Sequence, residues 1–323
     1  MEKINYQAIH KLKARRVKHP GYRHCHTYLD ELLEESLENQ GADHQPGAHV
    51  FTAPSRVGKS ATIDEFLARH QPKPLKTQLG VQQRITVAKV RVRTATTLKE
   101  YMSDICIELG IEPGISSNRA KLTRKIFEGL KRAETKMLIS DETNIVHESK
   151  GAKELVHIRN FLKELIDESG IPVVFFGLPS CISFFKGDKQ TDARVQEYIS
   201  LPPFIAPTND KTPVALVTTK YLQFLKEDCG VALKTEESLL QFSQRVYLAS
   251  GGRIGGIQRI FVDVARYSYR TGKKTLTLPD FAASLKKRPI PFQLTCSDSP
   301  FLICQKELPG LMKKYPMPSE TLL

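Results

Sequence analysis

Ala53-Pro54-Ser55-Arg56-Val57-Gly58-Lys59-Ser60, entered from the apolar run Ala48-His49-Val50-Phe51-Thr52, decides how this chain folds. Residues 48–52 predict a buried strand and residues 60–69 a helix. The eight residues from Ala53 to Ser60, the first of the helix, therefore form a strand-to-helix loop of the GxxxxGK[S/T] pattern, with Ala53 at the first glycine position. A tight loop at a helix N-terminus aims backbone N–H groups at phosphates, and the helix dipole favours negative charge there. In this reading Gly58 allows close backbone approach, Lys59 reaches the β- and γ-phosphates, and the Ser60 hydroxyl ligates Mg²⁺. Ala53, Pro54, Ser55, Arg56 and Val57 complete the cradle. Alanine at position 53 is small enough for the turn and removes no donor.

Working outward, short apolar runs alternate with helical patterns. Strands are expected at 84–92, 136–140 and 172–176, and helices at 97–109, 117–134 and 152–168. The helix from Thr97 opens with a capping box to Glu100 and carries Leu98, Met102, Ile105, Cys106 and Leu109 on one side. This alternation is the signature of an α/β fold with a parallel sheet flanked by helices. Met137-Leu138-Ile139-Ser140-Asp141-Glu142 supplies the second half of a nucleotide site, with Asp141 in the Mg²⁺ shell and Glu142 orienting or deprotonating the attacking water. After Leu201-Pro202-Pro203 the strands stop. Residues 214–228, 236–249, 254–269 and 279–287 all read as helical, and Ile257, Ile260, Phe261, Val264 and Ala265 fall on one buried face.

Two arginines suit an ATPase built from several subunits. Arg194 precedes the apolar segment that ends the α/β core, where it could reach a γ-phosphate bound by a neighbouring subunit; a surface salt bridge is the alternative. Arg253 stands in Gly251-Gly252-Arg253-Ile254-Gly255-Gly256, from which it could contact nucleotide from the helical lid; an ordinary helix-terminal arginine is the alternative.

Composition sets the outer limits. The chain has 323 residues, 40% hydrophobic and 26% charged, which fits a folded globular protein. The apolar run at 171–179 is far too short to span a bilayer, and the N-terminus has no secretory pattern, so membrane and secreted classes are excluded and a cytoplasmic location is expected. Six scattered cysteines without a CxxC pair fit reduced thiols. His24-Cys25-His26 has no second cluster at zinc spacing and reads as ordinary helix surface. Forty-eight Lys and Arg against 35 Asp and Glu leave +13, which points to a polyanion. Seven of these cations lie between Lys3 and Arg23 with no acid among them, followed by a helix over 28–37 with Leu29, Leu32, Leu33 and Leu37 on one face.

The order of these parts resembles the TniB/TnsC family of AAA+ transposition regulators, including those of CRISPR-associated transposons. The resemblance is carried by the phosphate loop, Val90-Arg91-Val92-Arg93 running into Thr96-Thr97-Leu98-Lys99-Glu100, Asp141-Glu142-Thr143-Asn144, and Gly170-Ile171-Pro172-Val173-Val174-Phe175-Phe176-Gly177. It covers about residues 10–270. It implies a P-loop AAA+ core with a small all-helical lid: a basic arm and leader helix at 1–44, the ATPase core at 45–206, the lid at 207–288 and an extended tail at 289–323. It further implies an ATP- and Mg²⁺-dependent oligomer, ring or filament, on double-stranded DNA that links a target selector to the transposase. Two features depart from the family: Ala53, and the lack of a polar side chain before Ser180 after the fourth strand, which together point to slow hydrolysis. A replication initiator or helicase loader, and a nucleotide-locked DNA adaptor with incidental turnover, share these motifs.

A subunit encircling DNA needs cations on phosphates, which give affinity without reading sequence. Thr96 and Lys99 lie at a helix N-terminus. Lys121, Arg124 and Lys125, with Lys131 and Arg132, lie on one face of the next helix, with Leu122, Ile126 and Leu130 opposite; a solvated amphipathic face is the alternative. The tail, rich in proline and without periodicity, is expected to be a transposase-docking segment.

Overall fold

The computed structural model describes residues 5–38, 46–77, 80–92, 97–115, 117–143, 151–295 and 299–317. These form two compact units: residues 24–55 and 59–201, and residues 1–23 and 202–323 together with the loop tip 56–58.

The first unit is built on a five-stranded parallel sheet. Its strands are β1 (Ala48–Thr52), β4 (Val87–Arg91), β5 (Met137–Asp141), β6 (Val173–Gly177) and β7 (Val195–Ser200), in the order β4-β5-β6-β1-β7. β1, β5 and β6 are buried at every position. A parallel strand covered on both faces reads as a continuous apolar run, which is why these three stand out in the sequence. Between β1 and β4 an antiparallel hairpin, β2 (Lys73–Thr77) and β3 (Gly80–Arg84), departs from the expected single strand at 84–92, because the chain breaks pairing at Ile85 and Thr86. The edge strand β7 was also not expected: Val-Gln-Glu-Tyr-Ile-Ser buries only Ile199 fully.

The chain opens with α1 (Tyr6–Ala14) and α2 (Pro20–Glu38). The second half of α2 buries Leu29, Leu32 and Leu33 in the sheet unit, whereas Leu37, expected on that face, is exposed. Cys25 and His26 also face inward, with the Arg69 guanidinium donating to Nδ1 of His26, so this stretch is not the helix surface expected of it. The sheet is flanked by α3 (Lys59–Arg69), α4 (Leu98–Glu108), α5 (Arg119–Arg132), α6 (Ala152–Ser169) and the short α7 (Cys181–Lys186) and α8 (Lys189–Asp192). The capping box of Thr97 and Glu100 forms as expected, and Asn118 caps α5 by accepting from the Lys121 N–H.

The second unit is helical, with α9 (Pro213–Cys229), α10 (Leu239–Ser250), α11 (Ile254–Thr271) and α12 (Leu278–Lys286) around one core, plus a two-strand bridge of β8 (Ala232–Leu233) and β9 (Thr275–Leu276). Ile257, Ile260, Phe261, Val264 and Ala265 are all fully buried, as the periodicity of α11 predicts. Gly251 and Gly252 must be glycine: both adopt positive φ, and a Cβ would lie 2.5 Å from the Phe292 carbonyl oxygen and 2.2 Å from that of Phe204.

Residues 5–23 and 299–317 pack into this unit, whereas the segment from 289 onward was expected to be an extended tail. Ile9 and Leu12 of α1 join its core, and Arg15 grips Asp228 through two hydrogen bonds, with Lys11 at 3.2 Å from the same carboxylate. In the tail, Phe301 packs on Phe281 with ring centroids 5.2 Å apart, and α13 (Leu308–Lys314) buries Leu308. Buried Arg245, paired with Glu237, donates to the Pro300 and Ile303 carbonyls. The Tyr247 hydroxyl donates to the Tyr315 carbonyl. The contacts of Arg15 to Asp228, Arg245 to Pro300 and Ile303, and Tyr247 to Tyr315 join residues more than 50 apart in sequence, and Phe301 reaches Phe281 across 20, so no local periodicity announces them. Among the described residues no helix is long and apolar enough to cross a membrane.

Candidate nucleotide site

Parallel strands bring their C-terminal ends to one edge of the sheet, and the two motifs meet there. β1 runs out at Thr52 into the loop; β5 runs out at Asp141, separated from β1 by β6. Two strand spacings place the loop and the acidic pair about 10 Å apart across that edge. This is the carboxyl-edge crevice where ligands of open α/β sheets bind.

The loop shows why Ala53 is tolerated. Its N–H is already committed to the Gly177 carbonyl at 3.0 Å, its side chain is fully buried, and its φ is not left-handed. The left-handed residues are Arg56 (φ 69°) and Gly58 (φ 108°), so the glycine freedom this loop needs sits at its tip, not at its start. The Lys59 ammonium folds back to donate to the Ala53 carbonyl at 2.7 Å and is buried. Ser60 stands exposed in the first turn of α3.

At the end of β5, Asp141 is 1% exposed, and its Oδ1 accepts the Glu142 N–H at 2.9 Å. Glu142 takes φ 62°, a conformation costing an L residue about 1–2 kcal/mol. Its neighbours hold it there: the Asp141 carbonyl accepts from the Val92 N–H, and the Thr143 N–H donates to the Phe176 carbonyl. A backbone strained and pinned on both sides fixes where the Glu142 side chain leaves the strand. Behind it, Thr143 donates to the Ser140 carbonyl and Tyr101 to the Ser140 hydroxyl; burial pushes the Tyr101 phenol up to about 12, so it remains a donor.

Sequence reasoning missed one member of this cluster. Lys89 on β4 donates to Asp64 of α3 at 2.8 Å and lies 3.6 Å from Asp141 Oδ2. The available signal was a single lysine inside an apolar strand, a placement that asks for a carboxylate partner. A buried carboxylate and a helix-terminal hydroxyl are hard oxygen donors of the kind Mg²⁺ takes with a triphosphate, so Ser60 and Asp141 fit that role by chemistry.

The remaining expected residues are placed as follows. Arg194 lies at the opposite, N-terminal edge of the sheet, where its carbonyl accepts from the Ala48 N–H. It cannot serve its own chain's loop from there. Its guanidinium forks onto Asp167 of α6 at 2.7 and 2.6 Å and also donates to the Gln190 carbonyl, and the Asp167 hydrogen bonds raise its pKa. The salt-bridge alternative is therefore the arrangement present in the single chain. Arg253 stands at the start of α11, as expected, but is 4% exposed, with its guanidinium carbon 3.8 Å from the Phe292 ring centroid.

Of the proposed DNA contacts, Thr96 lies outside the described residues. Lys99 donates to the Ile115 carbonyl, and Lys125 to the Glu112 and Pro113 carbonyls, so both ammoniums are engaged by the loop before α5 and not simply solvated. Lys121 and Arg124 are exposed, with Arg124 3.3 Å from Glu128. Leu122, Ile126 and Leu130 are buried on the opposite face, as expected.

No curated protein sequence matches the chain. Among solved structures, Cdc6p of Pyrobaculum aerophilum is similar at 14% identity and a TM-score of 0.54, covering 83% of this chain and 67% of that one. The Orc1 protein of Aeropyrum pernix, solved in complex with DNA, is similar at 14% identity and a TM-score of 0.54, covering 81% of this chain and 64% of that one. The chain thus spans about two thirds of their length, and at this identity the likeness speaks to the fold alone, a P-loop AAA+ ATPase fold built on a parallel sheet. The model of the bacterial TniB protein family matches residues 9–204, more than half of the chain, and with a phosphate loop and acidic pair meeting at one sheet edge, this protein belongs to the TniB family.

Proposed function

We propose that this protein is an ATP-hydrolysing, DNA-binding AAA+ regulator of transposition that assembles as a homo-oligomer on duplex DNA and connects a target selector to the transposase. The observation that carries the reading is the pairing of the phosphate loop with Asp141-Glu142 at one sheet edge in a TniB family chain. Lys59 and the loop N–H groups would bind the phosphates, and Ser60 with Asp141 would hold Mg²⁺, which would supply charge neutralisation for the triphosphate. Glu142, fixed by its strained backbone, would orient a water and take its proton as the water oxygen bonds the γ-phosphorus and the bond to the β-phosphate oxygen breaks, leaving ADP and phosphate. Arg253 reads nucleotide state from the lid. Arg194 serves a neighbour's γ-phosphate once Asp167 releases it. Thr96, Lys99, Lys121, Arg124 and Lys125 supply the phosphate contacts, Lys99 and Lys125 by turning to DNA from the loop carbonyls they now hold. A selector belonging to a CRISPR effector is one form this partner takes.

One observation favours the nucleotide-locked adaptor as the second reading: Arg194 is closed onto Asp167, so a chain that never opens this pair turns over slowly. Comparing Glu142→Gln with wild type separates the two. On the first reading the variant keeps ATP and DNA binding, loses turnover and accumulates assemblies; if it instead supports transposition with normal target accuracy, hydrolysis is incidental.

A further inference from the structure

A line of cations on the helical unit begins beside Arg56 of the phosphate loop and extends beyond it. Along α11, Arg259, Arg266 and Arg270 lie at i, i+7 and i+11, and the end of α12 adds Lys287 and Arg288, with Lys13 of α1 alongside. With Arg56 they line two adjoining depressions of about 350 and 290 Å³, in which Asp263 is the only acid among the described residues. Asp263 is buried and works inward. Its carboxylate lies 2.9 Å from Arg266 and 3.5 Å from Arg259, which fixes both partly exposed guanidiniums. The Arg259 guanidinium also donates to the carbonyls of Arg288 and Pro289, which ties the end of α12 to α11. Arg270, Lys287 and Arg288 are exposed.

We infer that this groove is a second phosphate-backbone site, through which the helical unit holds duplex DNA. The inference rests on the DNA-binding reading above and adds a surface to it. Its shape selects the ligand. Arg259 and Arg270 are separated by eleven residues of helix, about 16 Å along the axis. A duplex presents roughly ten phosphates over that length, whereas a single small anion meets only one end of the line. Arginine forks match phosphate geometry, and contacts to phosphate give affinity and register without reading sequence. Prior neutralisation of Arg259 and Arg266 by Asp263 leaves the three exposed cations as the main source of counterion release.

The test is binding of a fluorescent duplex, with a non-hydrolysable ATP analogue present, as a function of salt. The variant Arg270→Glu/Lys287→Glu/Arg288→Glu is compared with Lys220→Glu/Lys226→Glu/Lys234→Glu, which makes the same charge change at exposed positions elsewhere on this unit. Loss of three phosphate contacts reduces the slope of log affinity against log salt by about 2.7, at about 0.9 per contact. The control variant keeps the wild-type slope. If both variants keep that slope, or both lose it equally, the groove is not a DNA site, while the DNA-binding reading stands. If wild type itself does not bind duplex, that reading fails and the inference with it. A thermal melt confirms folding, and neutral Gln replacements at the same three positions replace the reversals if they unfold the chain.

Discussion

Arg194 and Asp167 offer a test that separates a structural ion pair from a catalytic arginine held in reserve. The two side chains are 30% and 34% exposed and meet through two short parallel hydrogen bonds. At that exposure, solvent screening limits the pair to about 1 kcal/mol even with favourable geometry. Asp167→Ala is therefore expected to lower the unfolding midpoint by about 2–4 °C. In an assembled oligomer the same change removes the competitor for the guanidinium. About 1 kcal/mol shifts the engaged fraction about fivefold, so DNA-stimulated ATP turnover rises by about that factor. Arg194→Ala costs similar stability but removes the charge from the neighbour's phosphate, and turnover falls by about 10³ or more. Phosphate release at saturating ATP and duplex, measured alongside thermal unfolding, reads both effects. Equal turnover in the two variants, whether both unchanged or both reduced, would refute the role assigned to Arg194 and leave it as a salt bridge.

Three further outcomes follow from particular residues. Phe301→Ala empties a fully packed site against Phe242 and Phe281 and should cost about 3–5 kcal/mol in the helical unit, read as a large drop in melting temperature; an unchanged melt would mean the tail is only loosely attached. Burial pushes His19 down to about 4, and its Nδ1 accepts the Tyr22 N–H, so the neutral ring is the folded form. Its folded value lies below the unfolded value of about 6.5, so stability is full above pH 6.5 and falls as pH drops towards 4, by up to about 3 kcal/mol; His19→Gln should flatten that part of the pH–stability curve. Ala53→Gly should leave nucleotide affinity within about twofold, because neither the φ nor the N–H at this position asks for glycine; a tenfold gain by titration with a fluorescent nucleotide would show that the methyl group obstructs the cradle.

The phosphate loop, the acidic pair and the fully buried strands were legible because each is a contiguous run with its own period or pattern. The parts that escaped have their causes elsewhere in the chain. β7 is an edge strand with only one fully buried side chain, and the β2–β3 hairpin is rich in Lys and Gln, so neither carries an apolar signature. The tail folds back because Arg245, Tyr247 and Phe281 receive it, all of them distant in sequence. Arg194 reads as a free arginine until α6 is placed, since Asp167 lies 27 residues away on another element. Lys11 and Arg15 counted towards a basic arm for the same reason: their partner, Asp228, is more than 200 residues distant. Part of the +13 charge is thus committed within the chain, and what remains outward is concentrated on surfaces such as α5 and the line along α11.

The central claim is that ATP binding at the Lys59 loop, with hydrolysis governed by Glu142, controls assembly on DNA. Electron microscopy of Glu142→Gln with duplex DNA tests it most directly. With ATP, the account predicts persistent rings or filaments around the duplex, and with ADP none. Assemblies that form equally in both nucleotide states, or in neither, would contradict it.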